Sequence, residues 1–363
     1  MTRARRALLL IGIAAVQFAF FEIALRAWGH SEAAPAFQAL FEPDPAIGYR
    51  LRPHARTRFV TAEFATDIAI NAQGVRDDRD IGPKPPNERR IVVLGDSLVM
   101  AVQVERRQTF CQLLEDRLNR DGGPIHYRVI NAGVQGYGPV EELLFFRQVA
   151  RAFQPDLVIE TIFVGNDAEE AVGSASRLRP GEQPVGAALS QSVTNRLRRL
   201  VRRSMVLQVF RLRVTAVTGR LPGRGAPPEP PLQSYAAQPA PRIEEGLRIS
   251  RDCVQAIAAE AAAAGARAMV MLMPARFQLD DPDYARLEAA VEGAGGILVR
   301  DAATTRFTQA LASLPVPAFD ALPALRASRP GPDLFFQQTV HLTALGHDVV
   351  AAALEAFIRK QGL

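Results

Sequence analysis

The chain has 363 residues, enough for one elaborated domain or two unequal ones, and its 48% hydrophobic and 22% charged content supports a buried core and excludes a disordered chain. Its net charge of +5 comes almost wholly from arginine, with Lys84 and Lys360 the only lysines, and no basic stripe is interleaved with stacking aromatics, so nucleic-acid binding is not inferred. Two cysteines, Cys111 and Cys253, are too few for a disulfide scaffold or a thiolate metal cluster, and their apolar, helix-like surroundings point to buried free thiols, although an oxidising compartment permits one bridge.

At the N-terminus Arg3, Arg5 and Arg6 precede an apolar run from Ala7 to Phe21 that continues past Glu22 to Leu25. Such a run is near the lower limit for a bilayer span, and basic flanks stay on the cytoplasmic side, so residues 1–28 read as a signal-anchor that exports the remainder. The nearest small-residue pattern, Ala34-Pro35-Ala36, lies far from the run and contains proline, which argues against cleavage; a cleaved signal peptide is the alternative.

Residues 29–88 form a second region, a β-rich appendage with a linker. Phe64, Thr66, Ile68 and Ile70 alternate with polar neighbours and end at the turn Asn71-Ala72-Gln73-Gly74, while Pro83, Pro85 and Pro86 impose an extended link. From residue 89 to 363 short apolar runs alternate with helix-period segments, the pattern of a parallel sheet covered by helices on both faces. The expected strands are Ile91–Leu94, Tyr127–Ile130, Leu157–Phe163, Ala268–Met273 and Ile297–Val299; the expected helices are Gln108–Asn119, Pro139–Phe153, Ile243–Ala264, Pro282–Glu292 and Ala344–Lys360. Right-handed crossovers then give a doubly wound, flavodoxin-like α/β/α order.

One segment, at about 172–242, breaks the alternation and reads as an insertion, with seven prolines between Pro222 and Pro241. Within it Arg196, Arg198, Arg199, Arg202, Arg203, Arg211, Arg213, Arg220 and Arg224 occur with no acidic residue between them. Two readings follow: a basic amphipathic helix lying on anionic lipid or an acidic polymer, or a helix packed on the domain with a solvated arginine face.

Three polar turns follow three of the strands. Gly95-Asp96-Ser97 carries a hydroxyl from strand into helix, Asn131 to Gly136 carries a turn glycine, and Gly165-Asn166-Asp167 carries an amide. Parallel strands bring such turns to one carboxyl edge, where ligands bind and where backbone N–H groups stabilise an oxyanion. Taken singly, Asp96 and Ser97 as a helix cap, Gly136 as a left-handed turn and Asn166 as an Asx-turn are the ordinary readings; their convergence favours a site. Near the C-terminus, Thr343 caps the last helix and His341 projects from the loop entering it, where a neutral imidazole accepts a proton from a serine hydroxyl. The spacing of His341 and His347 fits no helical ligand pair and no carboxylate or thiol cluster accompanies them, so no metal is expected.

Together Gly95-Asp96-Ser97, Asn131 to Gly136, Gly165-Asn166-Asp167 and His341-Leu342-Thr343 resemble, in the same order, the four blocks of the SGNH/GDSL hydrolase superfamily, over residues 89–363. The resemblance implies a three-layer α/β/α fold, Ser97 as nucleophile and oxyanion donor, Gly136 and Asn166 as further donors, His341 as base, Asp96 and Asp167 in support, and no cofactor. The family usually has an aspartate two or three residues before the histidine, where this chain has Gln338 and Thr339. Gln338 is able to accept from the imidazole without adding charge; Asp333, Asp320 or a backbone carbonyl are the alternatives. The expected activity is that of a membrane-tethered, extracytoplasmic serine esterase removing O-acetyl or other short acyl groups from carbohydrate through an acyl-enzyme, or otherwise acting on a small acyl ester. An O-acyltransferase acting on an exported polysaccharide and a carbohydrate-binding or scaffold protein without its acid are the alternatives.

Overall fold

Continuous apolar runs make the centre of the molecule. In the computed structural model, which describes residues 37–178, 232–328 and 333–362 together with 5, 16–18, 20 and 21, Val92, Val93 and Leu94 are fully buried, as a strand covered on both faces must be. That strand, β5 (Glu88–Gly95), lies between β6 (His126–Gly133) and β7 (Leu157–Phe163), followed by β8 (Arg267–Met273) and β9 (Ala318–Asp320). The order β6-β5-β7-β8-β9 is 2-1-3-4-5 within the sheet, and all four pairings are parallel. It is the doubly wound order the sequence led us to expect.

Ahead of the sheet stand two antiparallel hairpins, β1 (Phe41–Asp44) with β2 (Gly48–Leu51) and β3 (Arg56–Val60) with β4 (Ala65–Ala69). In β4 only Thr66 and Ile68 turn inward to burial, the period of two foreseen from the alternation. The helices are α1 (Ser97–Met100), α2 (Phe110–Leu118), α3 (Pro139–Gln148), α4 (Asp167–Ser174), α5 (Pro241–Ala263), α6 (Asp281–Gly293), α7 (Ala302–Leu311), α8 (Leu322–Ala327) and α9 (Ala344–Lys360). Thr343 caps α9 by accepting the Gly346 N–H. Both cysteines are buried free thiols.

Two expectations need correction. Ile297–Val299 is no strand: Ile297 and Val299 point outward and only Leu298 is buried, in a single bridge to Ala236. The fifth strand is instead Ala318–Asp320, whose three residues are too few to show a period. The segment read as an insertion ends earlier than expected, since Tyr235 is fully buried with its ring 4.6 Å from that of Phe277. Residues 179–231 lie outside the described residues, and with them the arginine run from Arg196 to Arg224. Most of the apolar N-terminal run also lies outside; among the described residues no helix is long and apolar enough to cross a membrane.

By its contacts the chain divides into Met1–Ala39 with Val185–Pro228, and Leu40–Pro184 with Glu229–Leu363. The second unit holds hairpins and sheet together, so the hairpins are tied to the sheet more closely than an independent appendage would be. Within it, Gly246 of α5 crosses α4 so closely that an added Cβ would stand 1.8 Å from the Ala168 carbonyl oxygen. A helix-interior glycine replaced by alanine ordinarily gains about 1 kcal/mol. Here the sign reverses: Gly246→Ala is expected to lower stability by about 1–3 kcal/mol through overpacking, measured as a loss in melting temperature, and an increase would contradict this packing.

Candidate active site

The parallel registers Gly95↔Gly133 and Leu94↔Glu160 put the carboxyl ends of β5, β6 and β7 on one edge. Ser97, the Asn131–Gly136 turn and Asn166 therefore rise from three adjacent strands. Glycine is required at two places in this edge: a Cβ on Gly133 would meet the Met100 nitrogen at 2.3 Å, and Gly136 adopts a φ of +74° with the Tyr49 hydroxyl 2.9 Å from where its Cβ would stand. Tyr49 comes from β2, and its hydroxyl donates to the Gln135 carbonyl at 2.8 Å while the Tyr137 hydroxyl donates to the Tyr49 carbonyl at 2.6 Å. The first hairpin thus shapes the glycine turn.

Ser97 opens α1 and is 8% exposed. Asp96 caps the helix, its Oδ1 accepting the Leu98 N–H at 2.7 Å, and the Ser97 hydroxyl donates to Asp96 Oδ2 at 3.4 Å. The far end of this four-residue helix is held from outside the sheet. Arg76, 2% exposed, donates to the carbonyls of Met100 (2.7 Å), Ala101 (2.5 Å) and Val104 (2.6 Å). The first two are orphan acceptors at the end of the helix, where a cation is also favoured by the dipole, and the Val104 carbonyl belongs to the turn that follows. Thr66 donates to the Val102 carbonyl at 2.6 Å, and Asn131 donates to Val99 at 2.7 Å. Burial pushes the Arg76 guanidinium down to about 10, which leaves it charged at neutral pH. Sequence reasoning missed Arg76, because it sits in a run with Asp77, Asp78, Arg79 and Asp80 that resembles any solvated turn.

His341 lies in the loop before α9, and burial drives its imidazole down to about 4. Both of its nitrogens are buried, and neither has a hydrogen-bond partner among the described residues. His347, one turn into α9, is stacked on Phe110 and accepts the Phe110 N–H on Nδ1 at 3.2 Å. It is pushed down to about 3, first by burial, then by the Arg76 charge and by His341. His347 is therefore an electrostatic neighbour of both Arg76 and His341.

Not every expected contact is present. The Ser97 hydroxyl bonds Asp96 and not His341. Neither candidate orienting group reaches the imidazole: Asp333 accepts from the Gln337 side chain at 3.0 Å, and the Gln338 backbone N–H is taken at 2.9 Å by Glu63, a residue of the β3–β4 turn. Asp320 instead accepts the Leu322 N–H at 2.9 Å at the start of α8. The Asn166 amide gives one N–H to Glu170 at 2.7 Å, leaving its second donor uncommitted. The Gly136 N–H has no acceptor within the described protein. Among the described residues no group of three or more His, Cys, Asp and Glu side chains is arranged to hold a metal ion.

Beneath this edge lies a dense set of acids. Burial raises Asp96 to about 6, Glu160 to about 7 and Glu170 to about 7, and raises Glu142 and Asp167 well above the carboxylate range, with neighbouring carboxylate charge adding to the rise at Glu142, Asp167 and Glu170. Asp167 accepts the Phe163 N–H at 2.8 Å. Glu142 on α3 and Glu160 on β7 are 1% and 2% exposed, and none of their four carboxyl oxygens has a hydrogen-bond partner among the described residues. Burial and, for Glu142, the neighbouring Glu160 charge disfavour ionisation, so the pair retains a proton above the ordinary carboxylate range.

No protein-family model matches the chain, and no curated protein matches it. Solved structures with a similar course of chain include TesA (15% identity, 75% of this chain and 99% of that one, TM-score 0.41). The psychrotrophic esterase EstA from Pseudoalteromonas sp. (13%, 75% and 98%, 0.39) and the acetyl xylan esterase AlAXEase (12%, 74% and 99%, 0.40) are others. A two-domain esterase (CEX) active on acetylated mannans matches at 12% identity and TM-score 0.41 over 75% of this chain, which spans about half, 49%, of that protein.

Two outcomes follow. Arg76→Met leaves three carbonyls without their donor and is expected to destabilise by on the order of 3 kcal/mol, seen in denaturant titration; a loss below about 1 kcal/mol contradicts the grip. Glu160 has a raised folded pKa, so the stability tied to its proton is present below the ordinary carboxylate range and is lost as pH rises towards 7. Glu160→Gln, neutral throughout, is expected to melt about 3–6 °C above the parent at pH 8 and close to it at pH 4; a variant melting below the parent at pH 8 contradicts the retained proton.

Proposed function

We propose that the protein is a serine ester hydrolase of the SGNH/GDSL type with Ser97 as nucleophile and His341 as base. The observation that carries this reading is the His341 imidazole, neutral at physiological pH and buried with neither nitrogen hydrogen-bonded among the described residues, together with Ser97 at the start of a short helix on the carboxyl edge of the sheet. An unpaired buried polar group is destabilising unless its vacancy serves a purpose, and a neutral imidazole with free lone pair is what proton abstraction needs.

In the reaction Ser97 Oγ attacks the ester carbonyl carbon as its proton passes to His341. The resulting oxyanion is held by backbone N–H groups at Ser97 and Gly136 and by the second N–H of Asn166. Collapse breaks the ester C–O bond, His341 returns the proton to the departing alkoxide, and an acyl-serine remains until water, deprotonated by the same imidazole, removes it. The Ser97 hydroxyl has to turn from Asp96 towards His341, a bond of the kind that tightens when substrate binds.

A short acyl group on a carbohydrate is the substrate class proposed. The location proposed is outside the cytoplasm on an N-terminal anchor, supported by the arginines at 3, 5 and 6 ahead of the apolar run to Leu25. A fluorophosphonate probe is expected to label the full chain in the membrane fraction of an expressing bacterium, the serine oxygen displacing fluoride at phosphorus, and to bring p-nitrophenyl acetate turnover to zero as it does so, with labelling and turnover both absent in Ser97→Ala. Equal labelling of parent and variant would end the nucleophile assignment, and labelled protein in the soluble cytoplasmic fraction would end the anchor.

A further inference from the structure

The tip of the β3–β4 hairpin reaches the loop that carries His341. That loop closes on itself through Phe336 N–H to the His341 carbonyl at 2.9 Å and Thr343 N–H to the Leu334 carbonyl at 2.9 Å, leaving residues 337–340 as its tip. Glu63 takes that tip with both oxygens: Oε1 accepts the Gln337 N–H at 2.7 Å and Oε2 accepts the Gln338 N–H at 2.9 Å. On the other side, Arg276 donates to the carbonyls of Phe336 at 2.9 Å and Gln337 at 2.6 Å. The peptide joining Phe336 to Gln337 thus has a carboxylate on its N–H and a guanidinium on its C=O, each charge matched to the end of the peptide dipole it faces. Charge-assisted bonds of this kind are roughly twice as strong as neutral ones.

The hairpin tip is itself set. Thr61 Oγ1 accepts the N–H groups of Glu63 and Phe64 at 3.2 Å each, the Thr61 N–H donates to the Phe64 carbonyl at 2.8 Å, and the Phe64 ring packs on Phe336 with centroids 5.4 Å apart. No carboxylate among the described residues contacts the His341 ring. What holds the imidazole in place is therefore the backbone on which it is mounted, and the charge on that backbone comes from a hairpin more than 270 residues earlier in the chain.

We propose that Glu63 is a positioning residue for His341: by clamping the 337–338 backbone it fixes the loop so that the imidazole stays inside, aimed at the Ser97 edge. This rests on the esterase reading and extends it, since it makes the β3–β4 hairpin part of the catalytic unit and gives the chain a device for orienting its base without a carboxylate on the ring.

The test compares Glu63→Ala and Glu63→Gln in the full chain with the parent. For p-nitrophenyl acetate, Glu63→Ala is expected to lower kcat about tenfold or more, with KM within about twofold, because a misplaced base slows chemistry more than binding. Glu63→Gln keeps one of the two accepting oxygens but lacks the charge and turns its NH2 towards the other N–H, so it is expected to fall between the parent and Glu63→Ala. A second readout needs no activity: in histidine NMR the parent His341 is expected to titrate near 4, and in Glu63→Ala to move up towards 6.5 as the loop loosens and water reaches the ring, with His347 unmoved. Unchanged kcat, or an unchanged His341 titration, in a folded Glu63→Ala overturns the proposal; so does a Glu63→Gln variant more impaired than Glu63→Ala. A parent that neither turns over ester nor takes the phosphonate overturns the esterase reading alone, and the titration then still decides whether Glu63 positions His341.

Discussion

The candidate site depends on one buried cation. The helix that presents Ser97 is only four residues long, too short to hold itself, since a single turn fixes several dihedrals for one hydrogen bond. Arg76 supplies what the helix lacks by occupying the carbonyls at its far end. Sinking a guanidinium into the protein is unfavourable, and three oriented carbonyls offset it without neutralising the charge. The serine turn is thereby a fixed object set between β5, the Asn131 side chain and the second hairpin.

That same charge organises its neighbours. Beside it the His347 imidazole is held neutral by burial first and by the cation as well, and burial alone does the same for His341. Within electrostatic reach of Asp96, buried carboxyls retain protons above the ordinary carboxylate range, because no basic group among the described residues reaches Glu142 or Glu160. A site with neutral bases and a proton-rich floor has little mobile charge of its own. A developing oxyanion would then be answered mainly by fixed N–H dipoles, the arrangement in which preorganisation contributes most.

The hairpins take a different place from the one their sequence suggests. Alternation at Thr66 and Ile68 and the turn residues around them describe a small β unit, and nothing in that pattern says what the unit touches. In the structure its side chains go to three parts of the site: Tyr49 to the glycine turn, Arg76 and Thr66 to the serine helix, and Glu63 with Phe64 to the histidine loop. Charged residues in a turn are ordinarily solvated, which is why Arg76 and Glu63 carried no signal. Their partners are backbone carbonyls and N–H groups, and backbone acceptors leave no mark in a sequence.

What the chain states locally is therefore the frame. Uninterrupted apolar runs such as Leu157–Phe163 are strands because only a sheet covered on both faces buries every residue, and the glycines at 95, 133 and 136 mark turns because close approach or positive φ excludes a side chain. Ser97, Gly136, Asn166 and His341 stand out in the sequence as candidates because each lies beside the end of such an element, in blocks whose order along the chain is itself informative. Short elements such as Ala318–Asp320 were not legible, since three residues display no period. The orienting partners were not legible either: the expectation of Gln338 or Asp333 followed nearness in sequence, whereas a carboxylate reaches a backbone N–H by nearness in space. Hydrophobic period is a property of consecutive residues and is written in them; a hydrogen bond between residues 63 and 338 exists only after the sheet has brought them together.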